Sequence, residues 1–149
     1  MRAGHFNSDR GQTIIEFAMV IPFIALLFMG IFDFSRFFYT RLTLQHAVHE
    51  ATRFAVTGGT LDDAQGNAMT RAESIKSMIT NSATTLDLDV DQLIVNPADG
   101  GGPAQIVTVT GNFEFQFVTP GVSTFFPGGK YDFSVATSMK NEPFLSGGP

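Results

Sequence analysis

The chain has no cysteine and no tryptophan among its 149 residues. No disulfide can staple it and no thiolate can hold a metal. The lack of cysteine does not argue against a location outside the cytoplasm. Histidine occurs three times and charged residues make up 15% of the chain, so parts for acid–base or nucleophilic chemistry are few. No catalytic set, metal site or cofactor site is expected, and the chain reads as a non-enzyme. Basic residues are sparse where they would matter for nucleic acid. Residues 1–56 carry a net charge of +1 and residues 57–149 a net charge of −6. The acidic distal part lacks the basic patch that nucleic-acid binding needs. The length suits one modest domain plus an anchor.

What the chain has in abundance is phenylalanine, 16 residues of it, and one long apolar run. Thr13 to Phe32 is 20 residues with a single charge, Glu16. A helix of about 20 apolar residues covers a hydrocarbon core of about 30 Å. A buried core helix would rarely be apolar on every face in so small a domain. The stretch is therefore read as membrane-spanning. A secretory signal peptide has a shorter apolar core and ends in a small-residue cleavage site; here the run is followed by Phe32-Asp33-Phe34-Ser35-Arg36-Phe37-Phe38-Tyr39. The helix is expected to stay in the mature protein. Arg2, Arg10 and the amino terminus precede it, offset by Asp9, while Arg36 and Arg41 follow it, offset in part by Asp33; by this count the positive-inside rule tips only slightly toward a cytoplasmic N-terminus. Glu16 is the residue that needs explaining, because a carboxylate beside a bilayer is costly without a partner.

From Arg36 to Val56 there is no glycine or proline. Leu44, Val48, Ala51 and Ala55 form one helical stripe, with Ala47 and Phe54 beside it; Arg41, Gln45, His49, Thr52 and Arg53 are assigned to the opposite face. One long helix over about residues 13–56 is expected, closed by Gly58-Gly59. Pro22 and Gly30 lie inside it. Pro22 either loosens the helix for assembly or is an ordinary transmembrane proline.

Thr60-Leu61-Asp62-Asp63 and Thr70-Arg71-Ala72-Glu73 both fit a capping box. Ala72, Ile75, Met78, Ile79, Ala83 and Leu86 then keep helical spacing, predicting a second helix over about 67–83. Beyond it the period changes to two. Gln92–Asn96 is a short strand stopped by Pro97. In 106–118, Val107, Val109, Phe113, Phe115 and Phe117 point one way. In 131–140, Tyr131, Phe133, Val135, Thr137 and Met139 do the same. The fold class is thus α+β: a long N-terminal helix, a second shorter helix, and an antiparallel sheet of about three strands packed on the long helix. Residues 146–149 read as a frayed tail.

Three other motifs carry less. His46-x-x-His49-Glu50 lacks the order and the third ligand of a zinc site, and solvated helix histidines account for it better. Asp87-x-Asp89-x-Asp91 opens like a calcium loop, but Gln92 and Ala98 stand where glycine and glutamate are required. Gly100-Gly101-Gly102 precedes Pro103 rather than a lysine and a helix, and reads as a turn.

Gly11, followed five residues later by Glu16 and an apolar helix, resembles the cleavage region of type IV prepilins. The run from Arg10 to Pro22, then Gly30-Ile31-Phe32-Asp33-Phe34-Ser35-Arg36, then Leu44 to Ala55, resembles the TadE family of the Tad (Flp) pilus system. That family reads Gly-x-x-Glu/Asp-x-x-Arg and an alanine-rich stretch at the last two; Thr52 stands here for an alanine. Ser138-Met139-Lys140-Asn141-Glu142 is a weaker echo. The resemblance implies a pilin-like fold and a minor pilin or pseudopilin, since major Flp pilins are much shorter. It implies a leader at 1–11, a helix at 12–56 with its transmembrane part at 13–32, and an extracytoplasmic α+β domain at 57–149.

It further implies that a TadV-like prepilin peptidase cuts between Gly11 and Gln12. Gln12 then becomes the N-terminus and Glu16 its fifth residue, meeting a neighbour's terminal amine during assembly. Glu16, Phe17 and Pro22 would be the helix-assembly positions. Some Flp-type substrates carry tyrosine where Phe17 stands, so no hydroxyl can act there. The implied partners are other pilin and minor pilin subunits, the peptidase, the inner-membrane assembly platform and lipid, for a pilus serving adhesion, secretion or DNA uptake. The alternative is an uncleaved single-pass scaffold of a secretion complex.

Overall fold

The structure, a computed structural model, describes residues 8–143. Most of the expected leader and the expected tail at 146–149 lie outside the described residues. The element order is helix α1 (Ser8–Val56), α2 (Arg71–Ser82), strands β1 (Leu93–Asn96) and β2 (Ile106–Gln116), a short helix α3 (Pro120–Ser123), and β3 (Lys130–Lys140). The strands form one sheet in the order β1-β2-β3. The α+β class and the three-stranded antiparallel sheet agree with the sequence.

The described residues divide into two compact units, one of residues up to 36 with 116–130, the other of 37–115 with those from 131 onward. The second unit holds the core. The stripe of Leu44, Val48, Ala51 and Ala55 on α1 is fully buried against Ile75 and Ile79 of α2 and Leu93, Val107 and Val109 of the sheet. β1 pairs antiparallel with β2, placing Leu93 opposite Gly111. A Cβ on Gly111 would stand 3.0 Å from Leu44 Cδ1 and 3.2 Å from Val48 Cγ2. That missing side chain lets α1 lie close on the strand. Between β2 and β3, the Thr108 and Ser138 hydroxyls share a hydrogen bond of 2.8 Å and the Phe113 and Phe133 rings meet at 5.8 Å. Phe37 on α1 makes edge contacts with Phe115, Tyr131 and Phe133 at 5.5–5.7 Å.

Three expectations are corrected. Thr52 is fully buried, not on the polar face. Its hydroxyl donates to the Val48 carbonyl at 2.6 Å, one turn back, and that local bond removes the cost of burying it. Thr60-Leu61-Asp62-Asp63 starts no helix. Asp63 instead accepts the amides of Gln65 and Asn67, closing a loop clasped by an Asp62–Ala68 bridge. The second helix starts at Arg71 rather than near 67, because Thr70 takes the extended N-cap conformation and completes its capping box with Glu73. The end of α1 agrees with the sequence: Gly58 takes φ 74° and its amide returns to the Ala55 carbonyl.

Candidate functional site

The processing and assembly positions inferred from sequence all lie on the first turns of α1 and are exposed. Gln12 and Glu16 are one turn apart, and the Gln12 amide donates to the Glu16 carboxylate at 3.1 Å. The helix therefore brings these two together. It does not gather the others. At about 100° per residue, Gly11 lies about 140° around the axis from Glu16. A Cβ on Gly11 would meet nothing within 4 Å, so no packing among the described residues requires a glycine there. Phe17 stands 64% exposed, and the helix runs on through Pro22.

A different carboxylate is held inside the protein by distant partners. Asp33, the first residue after the apolar run, is fully buried. It accepts the Val118 amide at 3.1 Å and the Thr119 amide at 2.7 Å. Arg36, one turn on, approaches it at 3.6 Å. These donors come from the connection between β2 and β3. A buried carboxylate is tolerable only with such charge-assisted bonds. Gly121 continues the contact: a Cβ there would stand 2.9 Å from Leu26 Cδ1. Beside Asp33 is an apolar cavity of about 240 Å³ lined by Phe28, Met29, Phe32, Val118 and Thr119. In the sequence Asp33 stands out only as a charge just after the apolar run and as part of a family motif. The available signal was a lone acid ending an apolar run; its donors, 85 and 86 residues away, had none.

In the second unit, Arg71 and Asn141 hold the glycine loop. Arg71 donates to the carbonyls of Ala55, at 2.7 Å, and Gly101. Burial draws its guanidinium below the usual value, and Asp99 opposes that. The Asn141 amide reaches the carbonyls of Gly100, Gly101 and Gly102 at 3.0–3.3 Å. The loop's own amides are engaged as well, that of Gly100 by Pro97, of Gly101 by Asp99 and of Gly102 by Gln105. They are not free to cradle an anion. His46 and His49 are exposed on α1 beside Leu42, Gln45 and Thr137. Asp89 caps the turn before β1 and accepts the Asp91 amide. Among the described residues no three His, Cys, Asp or Glu side chains are grouped to hold a metal ion.

α1 is long and apolar enough to cross a membrane, and none of its most apolar window is buried within the chain. No curated protein and no solved structure matches the chain. Residues 11–53, less than half of the chain, match the family model described as TadE-like protein, and the match takes in Gly11, Glu16, Asp33 and Thr52.

Proposed function

We propose that this chain is a minor pilin or pseudopilin associated with the Tad pilus, anchored in the cytoplasmic membrane by α1 and structural rather than catalytic. The observation that carries the reading is the coincidence of the TadE-like segment with an unburied, membrane-length apolar helix. In this reading residues 1–11 are a cytoplasmic leader, 13–32 spans the membrane, and 57–149 lies outside the cytoplasm. A prepilin peptidase cuts after Gly11. That bond lies inside α1, so cleavage requires the first turns to unwind. Glycine costs about 1 kcal/mol less to take out of a helix than alanine, and its bare Cα gives the enzyme room.

The role of Glu16 follows from its surroundings. Its bond within the described residues is to the neutral Gln12 amide. A carboxylate at the membrane edge is better satisfied by a cation. The cation proposed is the terminal amine of Gln12 on a neighbouring subunit, a contact that would also set the stagger between helices. Pilin subunits, the peptidase and the assembly platform are the partners.

The reading is tested by recovering the chain in sheared pili. Glu16→Gln and Glu16→Leu should leave membrane insertion and processing intact but lower incorporation at least tenfold. Full incorporation of both variants would remove Glu16 from assembly. An uncleaved scaffold would be absent from the pili whatever stands at position 16.

A further inference from the structure

The connection between β2 and β3 is uncharged from Phe115 to Gly129 and carries two of its large apolar side chains outward. Phe125 is 87% exposed and Val118 62% exposed. The connection does not stand free in its unit. It lies along the end of the apolar run of α1: a Cβ on Gly121 would stand 2.9 Å from Leu26 Cδ1, one on Gly30 would stand 4.0 Å from Val122 Cγ2, and Asp33 accepts the Val118 and Thr119 amides. From Leu26 to Asp33 is seven residues, or about 10 Å of helix axis. If residues 13–32 cross a bilayer, these contacts fall within the last 10 Å or so of the span. That is the depth at which interfacial apolar segments sit.

The backbone of the connection is prepared for such surroundings. Irregular chain is tolerated against lipid only when its polar groups find partners inside the protein. Val118 and Thr119 donate to Asp33. Ser123, Phe125, Phe126 and Gly129 donate to carbonyls within the connection, and the Ser123 and Thr124 hydroxyls both turn back onto the Pro120 carbonyl. Phe117 and Phe126 stack at 4.5 Å, leaving Phe125 as the projecting ring. Internal satisfaction of this kind suits a segment that leaves water, and the unshielded phenylalanine at its tip would then face lipid.

We propose that the 117–129 connection is a second membrane contact, inserting Phe125 into the leaflet at the Asp33 end of the apolar segment. Asp33 holds it there by its two backbone amides. The contact would fix the rotation of α1 about its own axis, which a single apolar helix does not define. The proposal rests on the membrane reading of α1, and its test separates the two.

The full chain has no cysteine, so Phe125→Cys, Ile24→Cys and Gln65→Cys each give one site for an environment-sensitive fluorophore. All three positions are exposed, so labelling should spare the fold. The labelled proteins are reconstituted at high lipid excess in vesicles of phosphatidylethanolamine and phosphatidylglycerol. Iodide in the water and shallow brominated acyl chains in the lipid then compete to quench. The expected result is that the Phe125 and Ile24 probes are quenched by bromolipid and shielded several-fold from iodide relative to the Gln65 probe. A Phe125 probe as open to iodide as the Gln65 probe, with Ile24 still lipid-quenched, overturns the proposal and leaves the anchor standing. A Phe125 probe shielded from both quenchers also overturns it and assigns the patch to a second copy of the chain. An Ile24 probe open to iodide overturns the anchor and the proposal together.

Discussion

The carboxylate of Asp33 accepts the backbone amide of Thr119 at 2.7 Å, joining two residues 86 positions apart. A further contact, from the Val118 amide, makes Asp33 the anchor of a connection that itself carries no charge. One side chain at the end of the apolar run thereby organises the segment opposite it.

Removing that carboxylate should free the connection locally. Asp33→Ala leaves two amides without their charged acceptor, at about 1.5–3 kcal/mol for a bond of this kind. Hydrogen exchange at Val118 and Thr119, measured in detergent on the full chain, should speed up at least tenfold. Exchange at Val107 and Val109 should hardly change. Unchanged protection at 118 and 119 would show that the bonds contribute nothing.

Close packing at Gly111 predicts an opposite kind of failure. Gly111→Val adds bulk where Leu44 and Val48 already stand at 3.0 and 3.2 Å. Overpacking of this sort costs about 1–3 kcal/mol, against a small gain in strand preference. Thermal unfolding of the detergent-solubilised chain should move to lower temperature. A higher midpoint would mean that α1 and β2 are less closely packed than the distances state.

Arg71 serves two carbonyls at once, those of Ala55 and Gly101. Arg71→Ala should cost about 1–3 kcal/mol by leaving buried acceptors unserved. Arg71→Lys should recover only part of that, because a single ammonium lacks the planar fork. Denaturant unfolding of the three proteins gives the order. Equality of lysine and arginine would reduce the role to charge alone.

Acid should loosen the start of α2. Hydrogen bonds from the Thr70 hydroxyl and amide hold the Glu73 carboxyl below its ordinary value, and the Asn67 side chain and amide do the same for Asp63. Both folded values lie below the unfolded ones. The stabilisation is therefore complete above the ordinary carboxylate range and is lost as pH falls through the lowered folded values. Side-chain carboxyl shifts followed by NMR should titrate below the ordinary midpoints. Midpoints at or above them would contradict the capping geometry.

Periodicity carried most of the fold. The Leu44–Ala55 stripe and the alternation in 106–118 and 131–140 each name a buried face, and each face is where the core forms. What sequence could not reach depended on distant partners or on choices between equal local signals. Thr52 sits among polar residues in the sequence, but the helix turns it inward and its hydroxyl is satisfied locally. Thr60 and Thr70 offer the same capping pattern; the Asp63 loop takes the first and leaves the helix to the second. Asp33 looked like a boundary charge because its donors are in another part of the chain. The glycine loop was legible as a turn, but not the side chains of Arg71 and Asn141 that fix it.

The central claim is that α1 is a processed pilin helix, and one measurement meets it directly. Intact mass and N-terminal sequence are determined for the membrane-extracted chain, produced with and without its prepilin peptidase. The account predicts a start at Gln12 only when the peptidase is present, lost when Gly11 is replaced by a bulky residue. A chain that still carries residues 1–11 in both preparations would contradict it and leave an unprocessed membrane scaffold.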